Sequence, residues 1–161
     1  MRREYPEAPI VGVGAVVIDG TKVLLVRRGH EPLKGEWSLP GGALELGETL
    51  QEGVVREVQE ETGLTVVADG IVEILDRIMR DEASGRVRHH YVLIDFLCRV
   101  TGGSLRAASD ADEVRWAPRE QLQEPGEYGV APFTVRVIEK AFAMEKAFAM
   151  RFSGQLAEQV G

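Results

Sequence analysis

The chain has 161 residues, 44% of them hydrophobic and 28% charged, with a formal net charge of −7. That length suits one domain with a sizeable core, and the acidic balance excludes a broad basic footprint for long nucleic acid. A small phosphate compound is still admitted, because metal ions can bridge two sets of negative charge.

The first elements are Ile10–Ile18 and Lys22–Arg28, β-branched-rich runs that read as a hairpin turning at Asp19-Gly20-Thr21. Gly12, Gly14 and Asp19 interrupt this apolar region. No stretch reaches the roughly 18 apolar residues of a membrane span, and no cleavage site follows a signal-type core. A cytoplasmic protein with no membrane partner is expected. Gly29–Gly47 reads as a long loop, holding Pro32, Pro40 and the run Trp37-Ser-Leu-Pro-Gly-Gly42; loops of that length in compact domains are usually functional.

A helix is expected over 49–62. Thr49-Leu-Gln-Glu52 matches a capping box, in which each side chain satisfies the other residue's free backbone N–H, and Gly63 supplies the stop. At about 100° per residue, Glu57, Glu60 and Glu61 fall within an arc of about 100° that overlaps Leu50, Val54 and Val58. Gln59 and Glu52 mark the solvated side. Three acids turned toward the protein body repel one another, so something positive belongs among them. Arg56 is one residue off the cluster and cannot neutralise three acids alone. Carboxylates with a carbonyl from a glycine loop suit Mg²⁺ or Mn²⁺. Gly53, on the acid side, would let the Gly41-Gly42 loop approach.

Extended segments follow at Leu64–Val67, Gly70–Arg80 and Arg86–Val100, the last two joined by Asp81-Glu-Ala-Ser-Gly85. The only cysteine, Cys98, lies in the third, which excludes an intramolecular disulfide and fits a reducing compartment. It reads as a buried strand thiol rather than a nucleophile. Arg77, Arg80, Arg86 and Arg88, with His89, His90 and Tyr91, form a basic cluster that could grip phosphate or ribose, or offset the acidic surface. The adjacent histidines face opposite sides of a strand, which argues against a paired metal site. A short strand at Glu113–Ala117 is preceded by Asp110 and Asp112, read as turn-capping acids. A last amphipathic helix covers Phe133–Phe152. It contains a direct repeat, Glu139–Met144 and Glu145–Met150. Six residues rotate the second copy by about 240°, so the two copies cannot present one face. A duplication that extends the helix is the favoured reading, with a dimer contact through Phe148 and Met150 as the alternative. Strands outnumber helices, and an α+β sandwich with a mixed sheet is expected.

Gly42, Glu48 and the run Arg56-Glu-Val-Gln-Glu-Glu-Thr-Gly-Leu64 together resemble the Nudix box, with every fixed position filled. Seven specified letters would coincide by chance at about 10⁻⁸ per window. Trp37–Gly42 before the box and Glu113-Val-Arg-Trp116-Ala-Pro118 after it resemble Nudix domains too, nearest to small bacterial ADP-ribose pyrophosphatase-type members. The resemblance implies a single Nudix hydrolase domain over 1–161, an α/β/α sandwich with a mixed sheet and the loop-helix at 42–64. It implies metal-dependent hydrolysis of a nucleoside diphosphate linked to another moiety, ADP-ribose or a nucleotide-sugar. The alternatives are an ordinary or oxidised nucleoside triphosphate as substrate, or a nucleotide-sensing module without turnover. By the same resemblance Glu57, Glu60 and Glu61 bind Mg²⁺ or Mn²⁺ with a carbonyl of Gly41 or Gly42, while Glu48 and Arg56 brace the loop. Glu113 is the preferred general base and Glu60 the alternative. Arg28, Trp37, Arg77 and Tyr91 are candidate substrate contacts, and a homodimer is an open expectation.

Overall fold

The computed structural model describes residues 2–30, 34–109, 111–123 and 127–159. Pro32 of the loop and Asp110 lie outside them. The elements run β1 (Ile10–Asp19), β2 (Lys22–Arg28), β3 (Trp37–Ser38), β4 (Gly41–Ala43), α1 (Leu50–Thr62), β5 (Leu64–Arg80), β6 (Val87–Gly103), β7 (Ala111–Pro118) and α2 (Pro132–Gln159). The sheet has the order β3-β2-β1-β6-β5, with β4 also on β1 and β7 also on β2. β1 and β6 are parallel; the other pairs are antiparallel. The sheet is therefore mixed, as expected.

Two layers of core explain where the helices sit. On one face Val54 and Val58 of α1 pack with Val13, Ala15, Val17, Leu24 and Phe96. On the other, Val137, Ile138, Ala141 and Phe142 of α2 pack with Val16, Ile18, Val23 and Leu25. Alternation along β1 and β2 sends successive side chains to opposite layers, which makes the domain an α/β/α sandwich. Among the described residues no helix is long and apolar enough to cross a membrane.

Several boundaries differ from expectation. The 29–47 loop carries β3 and β4, strands too short to show a period. The segments 64–67 and 70–80 are one strand, β5, which absorbs the Ala68–Gly70 break as an irregularity in its register with β6. α2 runs past Phe152 to Gln159. Within it the first repeat copy buries Ala141 and Phe142, whereas Met150 of the second is 67% exposed. The rotation between the copies leaves one on the core and the other largely outside it.

Candidate active site

Local chemistry sets α1 in place. Thr49 and Glu52 form the reciprocal capping box, and Gly63 ends the helix at φ 74°, a left-handed conformation that favours glycine. The adjoining loop is tied to the helix by charge. Arg56 donates from Nε to Glu48 Oε1 at 2.6 Å and from Nη2 to Glu48 Oε2 at 3.0 Å. The same Nη2 reaches the Ala43 carbonyl at 3.2 Å, so one guanidinium joins helix, loop and β4. Glu48 Oε2 also accepts the Glu45 N–H at 2.9 Å.

Arg56 also reaches two acids of the cluster. Its Nη1 lies 2.8 Å from Glu57 Oε1 and 3.3 Å from Glu60 Oε2. The wheel gave its direction along the helix but not its length, and a long side chain crosses to both acids. The three acids also differ in exposure. The Glu57 side chain is only 14% exposed and Glu60 is 49% exposed, so Glu60 faces water more than the wheel implied. Glu61 accepts the Gly41 N–H at 2.9 Å. Burial pushes the Glu57 carboxyl above its usual range, opposed by the Arg56 guanidinium. Glu48 is held below that range by its hydrogen bonds to Arg56.

The glycines have other partners than expected. A Cβ on Gly53 would meet Leu44 Cδ1 at 2.7 Å, so Gly53 makes room for Leu44 rather than for Gly41-Gly42. Gly42 is the residue packed on the acids: a Cβ there would overlap the Glu57 carboxylate. Only glycine lets this stretch of β4 lie against Glu57. The donor set is carboxylate and carbonyl oxygen, the chemistry a hard divalent cation selects, and the bare Gly42 backbone fits such a group beside Glu57. Arg56 holds Glu57 and Glu60 to itself, and among the described residues no three His, Cys, Asp or Glu side chains stand arranged around one point as metal ligands.

Glu113 belongs to a different patch. It pairs across strands with Arg27, whose other partner is Trp37. Its carboxylate contacts Arg27 at 3.2 Å and also Arg115. Both guanidiniums lie over the Trp37 ring, 5.8 and 5.6 Å from its centre, and Trp37 meets Tyr128 edge to face at 5.3 Å. Trp37 is thus packed beside the α2 layer. Arg28 alternates to the other face, and its Nε is buried with no hydrogen-bond partner.

The basic hairpin is largely occupied by the N-terminal segment. Arg88 pairs with Glu4 at 2.8 Å, Arg86 lies over Tyr5 at 5.0 Å, and His89 Nδ1 is 3.0 Å from the Arg3 carbonyl. His89 is buried and His90 half-buried, as expected for neighbours on opposite faces. Arg77 covers the Phe133 ring at 4.0 Å, and Tyr91 stacks with His89 at 6.2 Å. Cys98 is buried, which pushes its thiol up to about 12.

The acid that sequence reasoning passed over is Asp95, a lone charge inside Val92-Leu-Ile-Asp-Phe-Leu97. It is 7% exposed, and burial together with nearby Glu73 pushes its carboxyl up to about 6. The one available signal was that single acid in an apolar strand.

A family model for the NUDIX domain matches residues 8–137. The chain is similar to an ADP-ribose pyrophosphatase of Methanocaldococcus jannaschii, 39% identical over 108 residues, 67% of this chain and 61% of that one. It is also similar to an 8-oxo-dGDP phosphatase of Homo sapiens, 33% identical over 65% of this chain and 30% of the relative. Among solved structures, a MutT protein from Methanosarcina mazei superposes with a TM-score of 0.68 at 27% identity, covering 88% of this chain and 99% of that one. The chain thus spans less than two thirds of the length of both sequence relatives.

Proposed function

The chain belongs to the NUDIX domain family, and from that premise we propose that it is a divalent-metal-dependent pyrophosphohydrolase acting on a nucleoside diphosphate linked to a second moiety. The observation that carries this reading is the seat of Glu57: a mostly buried carboxylate laid on the bare Gly42 backbone, with Glu60 and Glu61 on the same helix. The relative named for ADP-ribose favours that compound, or a nucleotide-sugar, as substrate.

Glu57, Glu60 and Glu61, with a carbonyl of Gly41 or Gly42, would hold Mg²⁺ or Mn²⁺, which when bound neutralises phosphate oxygens and acidifies water. Arg56 and Glu48 keep the loop against α1, and Glu61 holds the Gly41 amide so that β4 presents its carbonyls. Water attacks phosphorus, the bridging P–O bond breaks, and the water proton passes to a carboxylate. Between the two candidate bases we favour Glu60, because Glu113 is engaged by two guanidiniums at closer range, whereas Glu60 meets only Arg56, at 3.3 Å, and is the more open to water. The buried, unpartnered Arg28 Nε is a candidate phosphate donor.

The human relative named for 8-oxo-dGDP supports a second reading, an oxidised purine nucleotide as substrate. Chromatography of products after incubation with Mg²⁺ separates the two. AMP with ribose phosphate is the expected result from ADP-ribose. Monophosphate from an oxidised dGDP, with ADP-ribose intact, would favour the second reading. No product from either compound, or from nucleotide-sugars and triphosphates, with Mg²⁺ or Mn²⁺, would leave a binding module. Glu61→Gln should lower turnover by more than the roughly 10–100-fold that loss of an outer partner of a metal site costs. A near-parental rate at saturating Mg²⁺ would remove Glu61 from the ligand set.

A further inference from the structure

The register of the sheet places four residues side by side: Gly41 of β4, Gly14 of β1, Asp95 of β6 and Glu73 of β5. Asp95 shares a layer with Leu97, on the α2 side of the sheet. A Cβ on Gly14 would collide with Asp95 Oδ1, while Cγ would stand off at 3.3 Å. The carboxylate therefore leans across β1 with an oxygen foremost, toward β4 and Gly41, whose amide is held by Glu61. Two strand spacings, about 10 Å, separate Gly41 from Asp95.

Among the described residues no donor bonds this acid. Lys140 of α2 bonds Glu73 at 2.9 Å, and Glu73 is itself a like charge beside Asp95. Leu97, the next residue of β6 on the same layer, is buried and apolar. A buried carboxylate without donors is costly, and an apolar residue would fill the same place at no such cost. Its place beside Gly14, one strand from the Gly41 that Glu61 holds, marks a point where a ligand brings the donors.

We infer that Asp95 is a substrate-binding residue that accepts hydrogen bonds from hydroxyl or amino donors on the organic moiety flanking the pyrophosphate. This rests on the pyrophosphohydrolase reading, which fixes the phosphates at the Gly41–α1 end and sends the remainder of the ligand over β1. Gly14 leaves the path clear, and the aspartate selects a polar moiety rather than an apolar one.

Two probes with no bond to cleave test it: AMP and ribose 5-phosphate, each titrated calorimetrically with Mg²⁺ into wild-type, Asp95→Leu and Asp95→Asn protein. Loss of hydrogen bonds to a charged acceptor should weaken at least one probe by about tenfold or more in Asp95→Leu. Asp95→Asn, which keeps one acceptor oxygen, should lie between. A loss confined to AMP assigns the donor to the nucleoside, and one confined to ribose 5-phosphate assigns it to the second sugar. Equal affinities in wild-type and Asp95→Leu overturn the inference, as does failure of the wild-type to bind either probe. Melts of the three proteins separate lost binding from lost fold. Failure of the pyrophosphohydrolase reading would appear elsewhere, as absence of products from every compound in the panel, whatever these affinities are.

Discussion

Glu57 and Asp95 are both carboxylates pushed above their ordinary range by burial, yet the molecule treats them differently. Glu57 lies on a helix beside an arginine that bonds it, so its charge is opposed within its own element. Asp95 lies in a strand where no described residue donates to it, and Glu73, a like charge, stands opposite it on β5. One acid sits in a network that organises a loop; the other leaves an unmet electrostatic demand. Desolvation alone therefore does not tell an acid that the fold has already partnered from one that it has not. What separates them is whether the fold itself supplies the partner.

The largest effect should come from breaking the side of the comparison that has a partner. Arg56→Ala removes hydrogen bonds to Glu48, Glu57 and the Ala43 carbonyl together, each link to a charged partner being worth about 1.5–3 kcal/mol where shielded from water. It also leaves Glu57 buried without a cation. A fall of several degrees in melting temperature is expected, at about 2–4 °C per kcal/mol for a chain of this size. Mg²⁺ should recover part of that fall by replacing the lost positive charge. A melt superimposable on the parent would show that the network does not brace the loop.

A smaller, opposite effect is expected on the side without a partner. Folding raises the proton affinity of Asp95, so the cost of its charge is fully present above pH 6 and disappears as pH falls from 6 toward 4. Asp95→Leu should therefore melt higher than the parent at pH 8, by roughly 2–3 kcal/mol before any packing loss. The gap should close near pH 4. A gap that is constant with pH would mean that Asp95 is already solvated or paired in the folded protein.

How much of this was legible in the sequence follows from distance along the chain. The Thr49–Glu52 box, the Gly63 stop and the β1–β2 turn are local, and each emerged where its residues placed it. The family motif located the acids of α1. β3 and β4 are two and three residues long and exist because β2 and β1 offer them edges, which no local period announces. Arg56 was read from its angle on the wheel, although its reach decides its partners. Glu113 was singled out for standing late in the chain, but cross-strand pairing with Arg27 sets its surroundings. Asp95 becomes visible only once β1 and β6 are in register, because its closest partner, Gly14, is remote in sequence.

The smallest effect concerns how tightly the α1 region is fitted, and Gly53→Ala measures it. Replacing a helix-interior glycine by alanine ordinarily gains about 1 kcal/mol. Here the new methyl would stand 2.7 Å from Leu44 Cδ1 and 3.3 Å from Glu48 Oε2. Leu44 is only partly buried, and its Cδ1 is the end of a flexible side chain, so it can move aside for a fraction of that gain. Glu48 is less free, because Arg56 holds both of its oxygens. The two effects should nearly cancel, leaving the melting temperature within about 3 °C of the parent. If Gly53→Ala instead costs as much as Arg56→Ala, the Glu48–Arg56 pair tolerates no displacement, and the α1 network is as rigidly specified as the core beneath it. A clear rise in stability would mean that Leu44 and Glu48 yield freely, and that Arg56 binds the loop by charge rather than by fit.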